Sequence, residues 1–143
     1  MKKIYLTIIL IVFSSGLYAQ EQYLKDVKET QDFSIKIATL FKENKISESF
    51  EELIKFWPLP QNELESLENH TIKYLNVVEQ RIGKPTGILK SNTETISDIA
   101  IRETYIVKYS ISAIRLIFTY YRNNNGWIIN AFKWDDSFTE EFK

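Results

Sequence analysis

From residue 23 to residue 82 apolar positions recur every three or four residues, with charge filling the gaps. In YLKDVKETQDFSIKIATLF (23–41), Tyr23, Val27, Phe33, Ile37, Leu40 and Phe41 share one face, which predicts an amphipathic helix. Asn44 ends that unit. SESFEELIKFW (47–57) repeats the spacing with Phe50, Leu53, Ile54 and Trp57, and offers Ser47 or Ser49 as N-cap. Pro58 and Pro60 close it, because proline cannot continue a helical hydrogen-bond ladder. A third helix is predicted over 62–82. Asn62 caps it, Glu63 and Glu65 sit in its first turn, and Leu64, Leu67, Thr71, Leu75, Val78 and Ile82 form its buried stripe. Gly83 and Pro85 stop it.

The period then changes. GILKS, ISDIAIRETYIVKYS, AIRLIFTYY and GWIINAFKW are rich in β-branched and aromatic residues and predict four strands. Asn124–Gly126 supplies the turn before the last, with Gly126 free to adopt positive φ. Helices followed by an antiparallel meander give an α+β class: N-terminal helices packed against a curved antiparallel sheet of about four strands.

FTYYRNNNGWIINAFKW (118–134), an aromatic strand followed by a Gly-Trp turn and an alternating strand, resembles the close of the NTF2-like (cystatin-like α+β cone) superfamily. The layout is similar to that of its small secreted Bacteroidetes-type members across the chain beyond its first 19 residues. The resemblance implies a sheet curled around a helix, a pocket at the open end of the cone, and dimerisation through the sheet. That superfamily hosts isomerases, dehydratases and non-enzymatic binding domains, so the fold alone does not choose a function. Its ketosteroid isomerase-like members use a pocket Asp base with Tyr and protonated Asp donors, and no positions here match those residue by residue. The dehydratase-like Asp–His pair also lacks a counterpart, since His70 is the single histidine and lies mid-helix.

The opening MKKIYLTIILIVFSSGLYAQ adds a compartment. Lys2 and Lys3, an apolar run from Ile4 to Phe13, then small residues up to Ala19 have the arrangement of a secretory signal peptide. The expected organisation is a signal peptide at 1–19 and a single domain at 20–143, periplasmic or secreted, with no stable membrane span after processing. The chain has no cysteine, which excludes disulfides, thiol catalysis, thiolate zinc sites and a cysteine-linked lipid anchor. No metal or cofactor is expected. The net charge is -1, with Lys and Arg scattered among acids, so no nucleic-acid partner is expected.

Candidate chemistry is thin. Asp135 and Asp136 read as a solvated strand end, because adjacent side chains of a strand point apart. Asp98 and Arg102 share one strand parity and Glu103 shares the other with Ile99 and Ile101, which makes Glu103 the candidate buried acid. Arg115 lies within an otherwise apolar strand, as a cross-strand charge partner or an anion receptor. Tyr105, Tyr109, Arg115, Tyr120 and Trp127 are the ligand-pocket candidates, with plain core packing as the competing account of the aromatics. The expected function is a secreted non-catalytic binding or protein-interaction domain. Its partner would be a small molecule or another envelope protein, with a homodimer through the sheet as a further possibility. The alternative is an isomerase- or hydrolase-like pocket enzyme with Glu103 or Asp98 as general base.

Overall fold

Asp26 sets the first helix. Its side chain accepts the Glu29 amide at 2.8 Å, and Glu29 in turn accepts the Lys25 amide at 2.7 Å. Helix α1 therefore spans Val27–Lys42, starting later than the apolar spacing predicts. Tyr23 stays outside it, and Leu24 exchanges backbone hydrogen bonds of 2.9 and 2.8 Å with Trp127. A computed structural model describes residues 22–143; the signal peptide expected at 1–19 lies outside them. Asn44, in the left-handed region at φ 58, turns the chain into α2 (Ile46–Leu53). Neither candidate serine caps α2: Ser47 donates to Glu68 and Ser49 to the Ile46 carbonyl, both at 2.6 Å. Helix α3 (Gln61–Ile82) starts directly after Pro60, without a side-chain cap, and ends at Gly83 with φ 86.

Four strands follow: β1 (Pro85–Ile96), β2 (Ala100–Tyr109), β3 (Ala113–Arg122) and β4 (Trp127–Asp135). A short 3-10 turn, Phe138–Glu141, ends the ordered elements. Strand β1 runs well beyond GILKS, because KSNTETI pairs with β2 although its side chains are largely exposed. The long run 96–110 is split by a tight turn in which the Ile99 amide donates to the Ile96 carbonyl at 3.1 Å and Ser97 takes φ 47. No glycine marks that turn.

The sheet is an antiparallel meander in the order β1-β2-β3-β4. It is neither curled nor closed, which corrects the cone expected from the resemblance. The physical reason lies in the helices. Helix α1, not the longer α3, lies across β1, β2 and β3, while α3 packs chiefly on α2. An open sheet carrying one short helix has no need to wrap. The cone-end pocket and the dimer through a curled sheet, both implied by the resemblance, lose their basis with it.

The inner face carries Ile101, Glu103, Tyr105 and Val107 of β2 beside Ile114, Leu116, Phe118 and Tyr120 of β3, all buried. Phe33, Ile37 and Phe41 of α1 complete this core, with Phe50, Leu53 and Trp57 from the α2 region. Phe118 sits at its centre, stacked on Tyr120 and edge-on to Tyr105. Trp127 is buried at the start of β4. Gly126 before it has φ 144, and a Cβ there would meet the Leu24 carbonyl oxygen at 2.6 Å.

Candidate functional site

Helix α3 presents more apolar surface than its packing consumes. Only Leu64, Thr71 and Leu75 are buried, whereas Leu67, Tyr74 and Val77 are exposed, Tyr74 at 58%. These positions follow helical spacing and look across a gap toward β4. The Trp134 indole N–H donates to Thr71 Oγ1 at 3.1 Å and ties the helix to the strand at one point. The result is a groove of about 470 Å³ with Leu67, Tyr74 and Val77 on one wall and Trp134 on the other. Phe50, Trp57 and Phe132 line it from the core side, and His70, Arg81, Lys133 and Asp136 also border it.

At the β4 end of the groove, Asp135 already has a partner. The Arg115 guanidinium donates from Nε to Asp135 Oδ1 and from Nη2 to Oδ2, both at 2.8 Å. It also donates to Glu141 at 2.9 Å and Glu140 at 2.7 Å. Register explains the pairing: Arg115 and Asp135 are direct neighbours on β3 and β4. Hydrogen bonds from Arg115 and the Ser137 amide hold the Asp135 carboxyl below its usual range, against the opposing effect of burial. The guanidinium's own bonds, to Asp135 foremost and then to Glu141 and Glu140, push it further up against burial. Asp135 is therefore not the solvated strand end expected from the sequence; Asp136 is exposed. Arg115 gives four of its five N–H donors to carboxylates of its own chain, and it holds the 3-10 turn on the outer sheet face.

On the inner face lies a second polar group. Glu103 is 0% exposed, with Oε1 accepting from Lys90 Nζ at 3.3 Å and Oε2 lacking a hydrogen-bond partner. The buried Tyr105 hydroxyl also lacks one. Burial, with the Glu103 and Asp32 charges adding, pushes the Tyr105 phenol well up. The Tyr120 hydroxyl is satisfied: it is 2.7 Å from Ser34 Oγ and donates to the Thr30 carbonyl at 3.1 Å. Burial raises this phenol too, against the lowering effect of the Ser34 bond.

The pocket candidates do not converge. Tyr105 and Tyr120 belong to the inner core, and Tyr109 is a buried core residue whose phenol is pushed up to about 12 by burial and the Glu79 charge. Trp127 anchors the first of the described residues through Leu24, and Arg115 lies on the opposite sheet face. None of the five lines the α3–β4 groove. Asp98 is exposed in the β1–β2 turn, 3.5 Å from Arg122, far in register from Glu103's neighbours on β3. The groove was missed because Leu67 and Val78 read as one buried stripe. The signal that could have found it is the second apolar line, Leu67, Tyr74 and Val77, which a helix packed on one side does not need.

No family model, curated protein or solved structure matches the chain. Among the described residues no helix is long and apolar enough to cross a membrane, and no group of three or more His, Cys, Asp or Glu could hold a metal ion.

Proposed function

We propose that this chain is an exported, non-catalytic binding domain that takes an apolar small molecule with an aromatic portion in the α3–β4 groove. The observation that carries the reading is the groove's lining: Tyr74, Leu67 and Val77 face Trp134 and Phe132 around about 470 Å³. A concave, mostly apolar site with a few polar groups at its border is the usual form of a small-molecule site. His70, Arg81 and Lys133 give the border hydrogen-bond donors for a polar end of the ligand. Catalysis by a buried carboxyl fits less well, because Glu103 does not line the groove.

The test uses 1-anilinonaphthalene-8-sulfonate as an aromatic probe, with its fluorescence and quenching of tryptophan emission as readouts. Saturable binding to the folded protein is expected, and Tyr74→Glu and Val77→Glu, both at exposed positions, should reduce it at least tenfold. Unchanged probe affinity in both variants, with far-UV circular dichroism preserved, would place binding elsewhere and reject the groove.

A further inference from the structure

The inner polar group has features that neither packing nor the groove explains. A fully buried carboxyl with one oxygen unbonded and a buried phenol with no partner lie two residues apart on the same face of β2. Native interiors seldom leave such atoms unpaired, because each costs its desolvation without a return bond. What does reach Glu103 is an ammonium group, that of Lys90 from edge strand β1. Its 3.3 Å contact is long beside the roughly 2.7–2.9 Å of a well-made charge-assisted bond, and it engages Oε1 only. The same Nζ lies 6.0 Å from the centre of the Tyr105 ring, at the edge of cation–π range.

Lys90 makes one ion pair, to Glu103 Oε1. Its side chain is 32% exposed, and β1 carries a bulge between Lys90 and Asn92 that breaks the ladder beside it. Above it, between α1 and β1, lies a hollow of about 320 Å³ lined by Gln31, Ile35, Ile88, Leu89, Lys90 and Tyr105. Three apolar side chains there suit a short alkyl chain. Lys90, whose ammonium contacts Glu103, lines this hollow, and Glu103 itself does not.

The geometry points to a second site, separate from the groove: a receptor for a primary alkylammonium ligand, built from Glu103 and Tyr105 beneath the α1–β1 hollow, with the chain's own Lys90 as the displaceable occupant. The chemistry selects this class. A carboxylate offers acceptors only, so its guest must bring donors, and an ammonium brings three where an alcohol brings one. A free ammonium, untethered to β1, can reach both carboxyl oxygens and accept no constraint from the bulge. The Tyr105 ring and the nearby Asp32 charge favour the cation further. Lys90 itself shows the fit, since n-butylammonium reproduces the end of its side chain.

The experiment titrates n-butylammonium chloride into the purified protein and follows backbone amide shifts by NMR, with n-butanol as the neutral control. Saturable shifts at residues 88–90 and 103–105 are expected in the wild type, with affinity at least tenfold tighter in Lys90→Ala, where the internal competitor is gone. n-Butanol should bind at least tenfold more weakly than the amine. Glu103→Gln should abolish amine binding and Tyr105→Phe should weaken it several-fold, each with the far-UV spectrum of the folded protein. Absence of saturable binding to the wild type, binding seen in Lys90→Ala alone, or equal binding of the alcohol and the amine would each overturn the assignment.

Discussion

Replacing Arg115 with methionine should be among the most damaging single changes outside the apolar core. The side chain is 8% exposed and makes four hydrogen bonds to three carboxylates. These are unequal. Removing one partner of a buried ion pair costs roughly 3–5 kcal/mol, because the other charge is left uncompensated. Asp135, at 30% exposure and held in a fork of two bonds, approaches that case without reaching it, so about 2 kcal/mol is assigned to this pair. Glu141, at 18%, adds about 1 kcal/mol. Glu140, at 66%, belongs with exposed pairs worth roughly 0–0.5 kcal/mol. The expected loss for Arg115→Met is therefore about 3 kcal/mol, a sizeable part of the roughly 5–15 kcal/mol of a typical domain. Urea denaturation of Arg115→Met, Asp135→Asn, Glu140→Gln and the double variants gives the coupling energies directly. The Arg115–Asp135 coupling should be about 2 kcal/mol and the Arg115–Glu140 coupling below about 0.5 kcal/mol. Arg115→Lys should recover only part of the loss, since lysine cannot present the planar fork. A loss under about 1 kcal/mol for Arg115→Met, or a Glu140 coupling as large as that of Asp135, would refute this account of the cluster.

Acid should weaken the same cluster. The Asp135 carboxyl is depressed below its ordinary 3.8, so its contribution is fully present above that value and is lost as pH falls through the lower folded-state value. Urea midpoints measured between neutrality and about pH 3 should fall less in Asp135→Asn than in wild type, with a residual slope from Glu52, which its bonds from Lys36 and Lys55 also depress. Trp127→Ala removes a buried ring that anchors β4 and should cost roughly 3–5 kcal/mol in the same assay. Tyr120→Phe removes the bond to Ser34 and the donor to the Thr30 carbonyl, and should cost about 1–2 kcal/mol with the aromatic stack on Phe118 retained; a neutral effect would mean the hydroxyl pair is easily rehydrated.

How much of this was legible in the sequence depended on whether the deciding contact was local. Helix α3 could be bounded within a residue because Pro60 and Gly83 act on their own neighbours. The start of α1 could not, since Tyr23 fits the helical spacing but its neighbour Leu24 is drawn off by backbone bonds to Trp127, a hundred residues away. Glu103 shares a face with Ile101, and that alternation follows from strand parity undisturbed between 101 and 107. Asp135 was misjudged for the opposite reason. Its character is fixed by Arg115 in the next strand, and the register that joins them passes through a shift between Thr119 and Tyr120. The shape of the sheet was beyond reach too. The same strands could have wrapped around α3 or lain under α1, and the apolar stripe of each helix serves either arrangement.

The two buried charges carry opposite signatures, and the difference separates scaffold from site. Arg115 and Glu103 lie on neighbouring strands and on opposite faces of one sheet. Each has lost its hydration, a cost that only partners within the protein can offset. Arg115 recovers most of it, with four of its five N–H donors bonded and a fork that matches the carboxyl of its cross-strand neighbour. Only one Nη1–H of that group is left over, and the effect of the cluster is to fasten the 3-10 turn to the sheet. Glu103 recovers little: one long contact from a partly exposed lysine, with Oε2 and the adjoining Tyr105 hydroxyl unbonded. A leucine at position 103 would fill comparable space without that penalty, so packing alone does not account for a carboxyl there. A carboxyl kept half-bonded beside an aromatic ring, under a lysine able to leave, does account for a place where an ammonium can exchange.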